Sequence, residues 1–191
     1  MVHAGSPPRG TDEKPGTAQV GLCWTRSPFW RNSRMPLWLK IVLSIVAAEI
    51  LGGLGGFLTA SSIGSWYAAL ERPPGTPPNA VFGPVWTVLY AMMGIAFALI
   101  WHRAPASPAK RRALTVFFIQ LVFNLAWTPV FFGAHQLAAA LVVIVLLILA
   151  IVVTILRFRP LDKLAAALLV PYLLWVCYAT YLNAGFLVLN R

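Results

Sequence analysis

The side chains of this chain that could do chemistry are amides, indoles and phenols set at helical spacing inside apolar runs. Gln120, Asn124, Trp127 and Phe131 follow one another at steps of four, three and four, and Trp175, Ala179 and Asn183 at steps of four. Each set therefore falls on one face of a helix. Phe82, Trp86, Tyr90, Met93, Phe97 and Trp101 recur at steps of four, four, three, four and four, which makes a third face, an aromatic wall. Rings with a few amides beside them bind and orient flat apolar molecules, but supply no acid, base or redox centre. The sequence has no helical metal motif, nucleophile elbow, phosphate loop or carboxylate pair. His3, His102 and His135 are scattered, and a lone histidine at a span boundary is more often interfacial than a haem ligand. Aromatic stripes usually just pack together. Gln120, Asn124 and Asn183 argue for a cavity instead, because they add polarity that packing in lipid does not need.

The elements that must position these residues are membrane spans. Of the 191 residues 59% are hydrophobic and only 10% charged, against about 25% charged in soluble domains. A bilayer core of about 30 Å takes roughly 20 apolar residues per helix. Five runs qualify, over about 40–63, 81–102, 113–132, 137–156 and 164–189, so the expected fold is an all-α membrane protein, a five-transmembrane-helix bundle. In the first span Ala48, Gly52, Gly56 and Ala60 repeat every four residues and leave a face without bulk. That face suits close packing within the bundle, and a dimer contact would use the same motif. Glu49 lies mid-span, where a charge costs about 3 kcal/mol on insertion scales. It must face protein or water or be protonated, and proton or ligand contact and a buried hydrogen bond both remain open. The fourth span, almost purely Leu, Ile, Val and Ala, reads as a lipid-facing structural helix.

Between the first two spans, Trp66-Tyr67-Ala68-Ala69-Leu70 leads into Arg72-Pro73-Pro74-Gly75-Thr76-Pro77-Pro78. Four prolines in six positions fix φ and remove donors, so this first loop is expected to be a stiff, shaped lid. Residues 1–34 are polar, with five basic and two acidic residues, and cannot bury a core. They read as a disordered basic tail or as a start-site extension, since Met35-Pro36-Leu37-Trp38 looks like the beginning of a compact membrane protein; the apolar run that follows is too long for a signal peptide. A disulfide between Cys23, in the tail, and Cys177, inside the last run, is not expected.

The net charge of +10 does not mark nucleic-acid binding, because its cations flank the spans instead of forming a reading face. Thirteen of the fifteen basic residues fall on the side of the N-terminus and of the second and fourth loops; only Arg72 and Arg191 fall on the other. By the positive-inside rule the N-terminus is cytoplasmic if this is an inner-membrane protein, and the proline loop faces outward.

Four ordered motifs carry a resemblance to a known family. They are Trp66-Tyr67-Ala68 with Pro73 and Thr76-Pro77-Pro78; Phe82-Gly83-Pro84-Val85-Trp86-Thr87-Val88-Leu89-Tyr90 with Gly94; Gln120 to Asn124 with Trp127-Thr128-Pro129-Val130-Phe131-Phe132-Gly133; and Pro171-Tyr172-Leu173-Leu174-Trp175 through Ala179-Thr180 to Leu182-Asn183. After Met35 the chain resembles the tryptophan-rich sensory proteins and mitochondrial translocator proteins, once called peripheral-type benzodiazepine receptors. The resemblance implies a five-helix bundle, commonly dimeric, that binds porphyrins, sterols and synthetic aromatic ligands in a cavity under the first loop. The positions it implies for that pocket are Tyr67, Trp86, Tyr90, Gln120, Asn124, Trp127, Trp175, Ala179 and Asn183. Two departures stand out. Gly75 replaces the loop tryptophan usual in the family, which weakens the case for porphyrin photochemistry. The C-terminal sterol motif of the animal relatives fails at Ala184.

The expected function is a membrane receptor or sensor that binds porphyrin-type tetrapyrroles or other planar hydrophobic, including sterol-like, ligands and regulates their level or signals their presence. The expected partners are the lipid bilayer and a second copy of the chain, with porphyrin or haem a ligand and not a required cofactor. Arg72, the only cation between helices on the loop side, is the candidate contact for a ligand carboxylate. A light- and oxygen-dependent porphyrin-degrading enzyme and a porphyrin or lipid transporter are the alternatives. The residues favour binding over catalysis.

Overall fold

The computed structural model describes Met1 and residues 35–190, so the tail expected over residues 1–34, with Cys23, lies outside the described residues. Every regular element described is a helix: α1 (Leu37–Gly64), α2 (Trp66–Ala69), α3 (Asn79–Arg103), α4 (Pro108–Thr128), a single π turn (Pro129–Gly133), α5 (Leu137–Phe158), α6 (Lys163–Leu168) and α7 (Val170–Leu189). Among the described residues five stretches are long and apolar enough to cross a bilayer: Leu37–Phe57, Asn79–Arg103, Pro108–Gly133, Leu137–Phe158 and Lys163–Leu189. The protein has the five-helix membrane fold expected from its sequence.

Local chemistry sets where these helices begin and break. Ser107 caps α4, its Oγ accepting the Lys110 N–H at 3.2 Å, and Pro108 takes the first helical position, where no donor is needed. Asp162 caps α6 by accepting the Ala165 N–H at 2.9 Å. Pro129 cannot donate back into α4, and the chain widens into the π turn, which closes when the Ala134 N–H reaches the Pro129 carbonyl at 2.8 Å. The fifth span, expected as one helix, is instead divided at Leu169 into α6 and α7. Pro171 is the reason, since its ring removes a donor and disfavours the regular helix just before it.

α1 lies along α3 at backbone contact. A Cβ on Gly94 would sit 2.8 Å from Ile45 Cα, and one on Gly52 would overlap the Tyr90 ring, so the small face of α1 packs inside the bundle at Gly52, while a Cβ on Gly56 would meet open space. α5 corrects the sequence reading. It packs against both α4 and α7 and buries Ala140, Ile144, Leu147, Ile151, Thr154 and Phe158, so it is a central helix with one lipid-facing side. An all-aliphatic run carries no polar contrast, and its buried stripe of three- and four-residue steps cannot be told from its lipid stripe by residue type.

The α3 backbone lies close to α6 but farther from α4 and α7, which it meets through side chains such as Tyr90 to Asn124 and Trp86 to Tyr172. The bundle is therefore tight at its basic end and open between α3 and α7 toward the proline loop.

Candidate functional site

The opening between these helices is a cavity of about 380 Å³. α1 gives it Glu49, Gly52, Gly53 and Gly56; α3 gives Asn79, Phe82, Gly83, Trp86, Thr87 and Tyr90; and α7 gives Trp175, Val176, Ala179, Leu182, Asn183 and Phe186. The far wall is Asn124, Trp127 and Thr128 of α4 with Phe131 and Phe132 of the π turn, and Tyr67 of α2 closes the loop end. The π turn matters here, because the added residue lets Phe131 and Phe132 lie edge to face, 4.7 Å apart, against Trp127 and Tyr67.

Hydrogen bonds between helices set the floor. Tyr90 donates to Asn124 Oδ1 at 2.6 Å, and Asn124 Nδ2 donates to Tyr172 Oη at 2.9 Å, so one amide joins α3, α4 and α7. Higher on the wall, Trp127 Nε1 donates to Asn183 Oδ1 at 3.1 Å, and Asn183 Nδ2 donates to the Leu137 carbonyl at 2.9 Å. Asn124 and Asn183 are thus engaged at both ends, and in an apolar medium such bonds hold the walls apart at fixed spacing.

Of the nine positions implied for a pocket, eight line this cavity: Tyr67, Trp86, Tyr90, Asn124, Trp127, Trp175, Ala179 and Asn183. Gln120 does not. It is buried, with Nε2 directed at Met93 Sδ 3.9 Å away. Four residues of helix place it about 6 Å below Asn124 and so beneath the floor. Arg72 is also outside the lining; it is exposed, with its guanidinium 5.6 Å from the centre of the Tyr67 ring. Burial pushes the Tyr67 phenol above its ordinary pKa, with the Arg72 charge pulling the other way, so the hydroxyl is neutral at physiological pH.

Sequence reasoning missed part of the lining. Leu182 and Phe186 lie three and seven residues beyond Ala179, a helical signal that was available. Ile144 and Leu147 of α5 carried no such signal. Glu49, with its role left open, also reaches the cavity.

The proline loop forms the lid. Pro73 to Thr76 make a turn in which the Thr76 N–H reaches the Pro73 carbonyl at 3.2 Å and Gly75 takes φ 85°, a value that disfavours any larger residue. α7 holds this turn from below. Tyr178 Oη donates to the Gly75 carbonyl, Tyr181 Oη to the Pro74 carbonyl at 3.1 Å, and Asn190 exchanges bonds of 2.9 and 3.0 Å with the Glu71 backbone. Pro73 sits over Gly185, where a Cβ would come within 2.6 Å of the proline ring.

The opposite end of the bundle gathers the basic residues. Arg103 pairs with Asp162 at 2.9 Å, Lys110 Nζ donates to the Trp101 and Ala104 carbonyls at 2.8 and 2.9 Å, and Lys40 lies 4.7 Å over the Trp101 ring. Burial alone would raise the Asp162 carboxyl, but the Ala165 N–H and the Arg103 guanidinium outweigh it and hold the group below the ordinary carboxylate range.

Comparison with known proteins agrees with this architecture. The chain is 41% identical over 152 residues to the tryptophan-rich protein TspO of Archaeoglobus fulgidus, an alignment that covers 80% of this chain and 97% of that one. It is 41% identical over 119 residues to the human translocator protein, covering 62% and 70% of the two chains, and 40% identical over 125 residues to the tryptophan-rich sensory protein of Cereibacter sphaeroides, covering 65% and 77%. The model of the TspO/MBR family matches residues 41–189. The chain, an integral multi-pass membrane protein, belongs to the TspO/MBR family.

Proposed function

We propose that this protein is a membrane receptor or sensor that holds a planar hydrophobic ligand of the porphyrin type in the cavity beneath the proline loop and regulates its level or signals its presence. The observation that carries this reading is the lining: Trp86, Trp127 and Trp175 stand on three different helices around one space of about 380 Å³. That volume lies within the usual range for small-molecule sites. Contacts from such rings are worth about 0.5 to 1.5 kcal/mol each beyond area burial. Asn124 and Asn183 then have a structural part, keeping the walls apart, and the hydrophobic contact falls to the rings. Porphyrin or haem enters as a ligand and not as a built-in group. In an inner membrane the basic end faces the cytoplasm and the lid faces outward by the positive-inside rule, and a second copy of the chain is the partner that the family resemblance implies.

The test is a tryptophan-quenching titration with protoporphyrin IX on the full chain in nanodiscs. Trp127→Phe and Trp175→Phe should each weaken binding severalfold while the protein stays folded. Unchanged affinity in both variants would return these rings to the structural core.

A further inference from the structure

Three buried side-chain atoms have no hydrogen-bond partner among the described residues: Glu49 Oε1, Gln120 Oε1 and Trp175 Nε1. Gln120 lies beneath the floor, but Glu49 and Trp175 both line the cavity. One is an acceptor and the other a donor. Glu49 comes from α1 close to the level of Tyr90, since Gly52, three residues on, lies directly against the Tyr90 ring. Trp175 comes from α7, its ring held by Phe82 at 6.0 Å and Tyr178 at 5.6 Å. Asn124 and Asn183 are spent on the side chains of Tyr90, Tyr172 and Trp127 and on the Leu137 carbonyl. An intramembrane carboxyl is costly to retain, and no hydrogen bond among the described residues accounts for this one.

We propose that Glu49 contacts the ligand, its carboxyl accepting a hydrogen bond from an N–H or O–H group, while the Trp175 indole N–H donates to an acceptor on the same molecule. A carboxyl accepts in either protonation state, so the assignment does not depend on its charge. The ligand class narrows accordingly to flat aromatic heterocycles that carry both a donor and an acceptor. Pure hydrocarbons leave both atoms unpaired and are disfavoured, because a site that loses a buried bond discriminates more strongly than one that loses a methylene. This inference rests on the cavity reading above and adds its polar specificity.

Three flat tricyclic probes of nearly equal size separate the two contacts. β-Carboline carries a pyrrole-type N–H and a pyridine-type nitrogen, its N-methyl analogue keeps only the acceptor, and carbazole keeps only the donor. Binding is measured by calorimetry on the full chain in nanodiscs, at a pH where the pyridine nitrogen is unprotonated. β-Carboline should bind about tenfold more tightly than either of the others, the effect of one well-formed hydrogen bond in a dry site. The N-methyl penalty should vanish in Glu49→Ala and largely persist in Glu49→Gln, whose amide oxygen still accepts. The carbazole penalty should vanish in Trp175→Phe. Equal affinity of the three probes for the unmodified protein overturns the proposal without need of any variant. A methyl penalty that survives in Glu49→Ala also overturns it, because the penalty is then steric. If protoporphyrin IX binds and none of the tricycles does, the donor-and-acceptor class is wrong; if neither binds, the cavity reading itself fails.

Discussion

The hydroxyl of Tyr178 donates to the carbonyl of Gly75, across 103 residues of sequence, and so ties the tip of the proline loop to α7. The bond is possible because Gly75 turns its carbonyl inward at a positive φ, and because Trp175 supports the Tyr178 ring from below. The lid is therefore fastened to the same helix that supplies Trp175, Ala179 and Asn183 to the cavity wall.

Loosening this fastening should change kinetics before affinity. Tyr178→Phe and Tyr181→Phe each remove one hydrogen bond, worth about 0.5 to 1.5 kcal/mol net, without changing the rings. Hydrogen exchange at the Thr76 amide should accelerate in the double variant, and dissociation of bound protoporphyrin should become several times faster. Exchange and dissociation at the original rates would show that the prolines alone hold the loop.

Ala179 should have to stay small for ligand but not for folding. It faces the cavity, so the extra atoms of Ala179→Thr project into that space and not into packed neighbours. Stability should fall by less than about 1 kcal/mol, below the usual overpacking range, while ligand affinity drops severalfold. Thermal unfolding and quenching titrations of the same samples separate the two effects.

Much of this was legible in the sequence, for identifiable reasons. Trp86, Tyr90, Asn124, Trp127 and Trp175 converge because helical spacing fixes a face, and the turns are short enough to set antiparallel neighbours. What was not legible is which way each face turns once packed. Gln120 shares a stripe with Asn124, yet a single turn of depth separates cavity from core. Asn124 and Asn183 line the cavity as the resemblance implied, and they also bond its walls to one another, which spacing alone does not show. Ile144 and Leu147 belong to a helix with no chemical contrast between its buried and lipid sides, so only packing could identify them. Pro171 stood in the fifth span without deciding its shape, since a proline's cost can also be absorbed as a kink in one continuous helix.

Asp162 gives a pH dependence with a definite sign. Its carboxyl is held below the ordinary range, so its contribution is present above the unfolded-state pKa and is lost as pH falls through the lowered folded-state value. Asp162→Ala removes the cap of α6 and the Arg103 pair together, and should cost about 1 kcal/mol at neutral pH. In detergent melts the difference between variant and parent should shrink on acidification below the usual carboxylate range. A difference that does not change with pH would mean that the cap acts through backbone geometry alone.

Orientation can be read with single cysteines in a background where Cys23 and Cys177 are serine. Glu71→Cys marks the lid side, where the side chain is exposed and the backbone is held by Asn190, and Ala106→Cys marks the basic end. An impermeant thiol reagent added to intact cells should label the first and not the second, because cations are retained on the cytoplasmic side. The reverse pattern would invert the bundle.

Arg72 tests whether the mouth of the cavity discriminates by charge. It is exposed and outside the cavity lining, and its guanidinium lies over the ring of Tyr67, which does line the cavity. A cation over an aromatic face at an exposed site is worth about 0.5 to 1 kcal/mol, so its first effect is to steady Tyr67 and the loop end of the wall. That geometry gives Arg72→Ala a non-selective effect: protoporphyrin, with two carboxylates, and a neutral porphyrin ester should lose affinity by the same small factor. Arg72→Lys should recover part of the loss for both, since an ammonium also sits over a ring. If the guanidinium instead reaches carboxylates that emerge from the cavity, the acid should lose much more than the ester, as removal of a charge-assisted contact requires. Parallel titrations of acid and ester against the three proteins separate these outcomes, and only the second would make Arg72 part of the binding site.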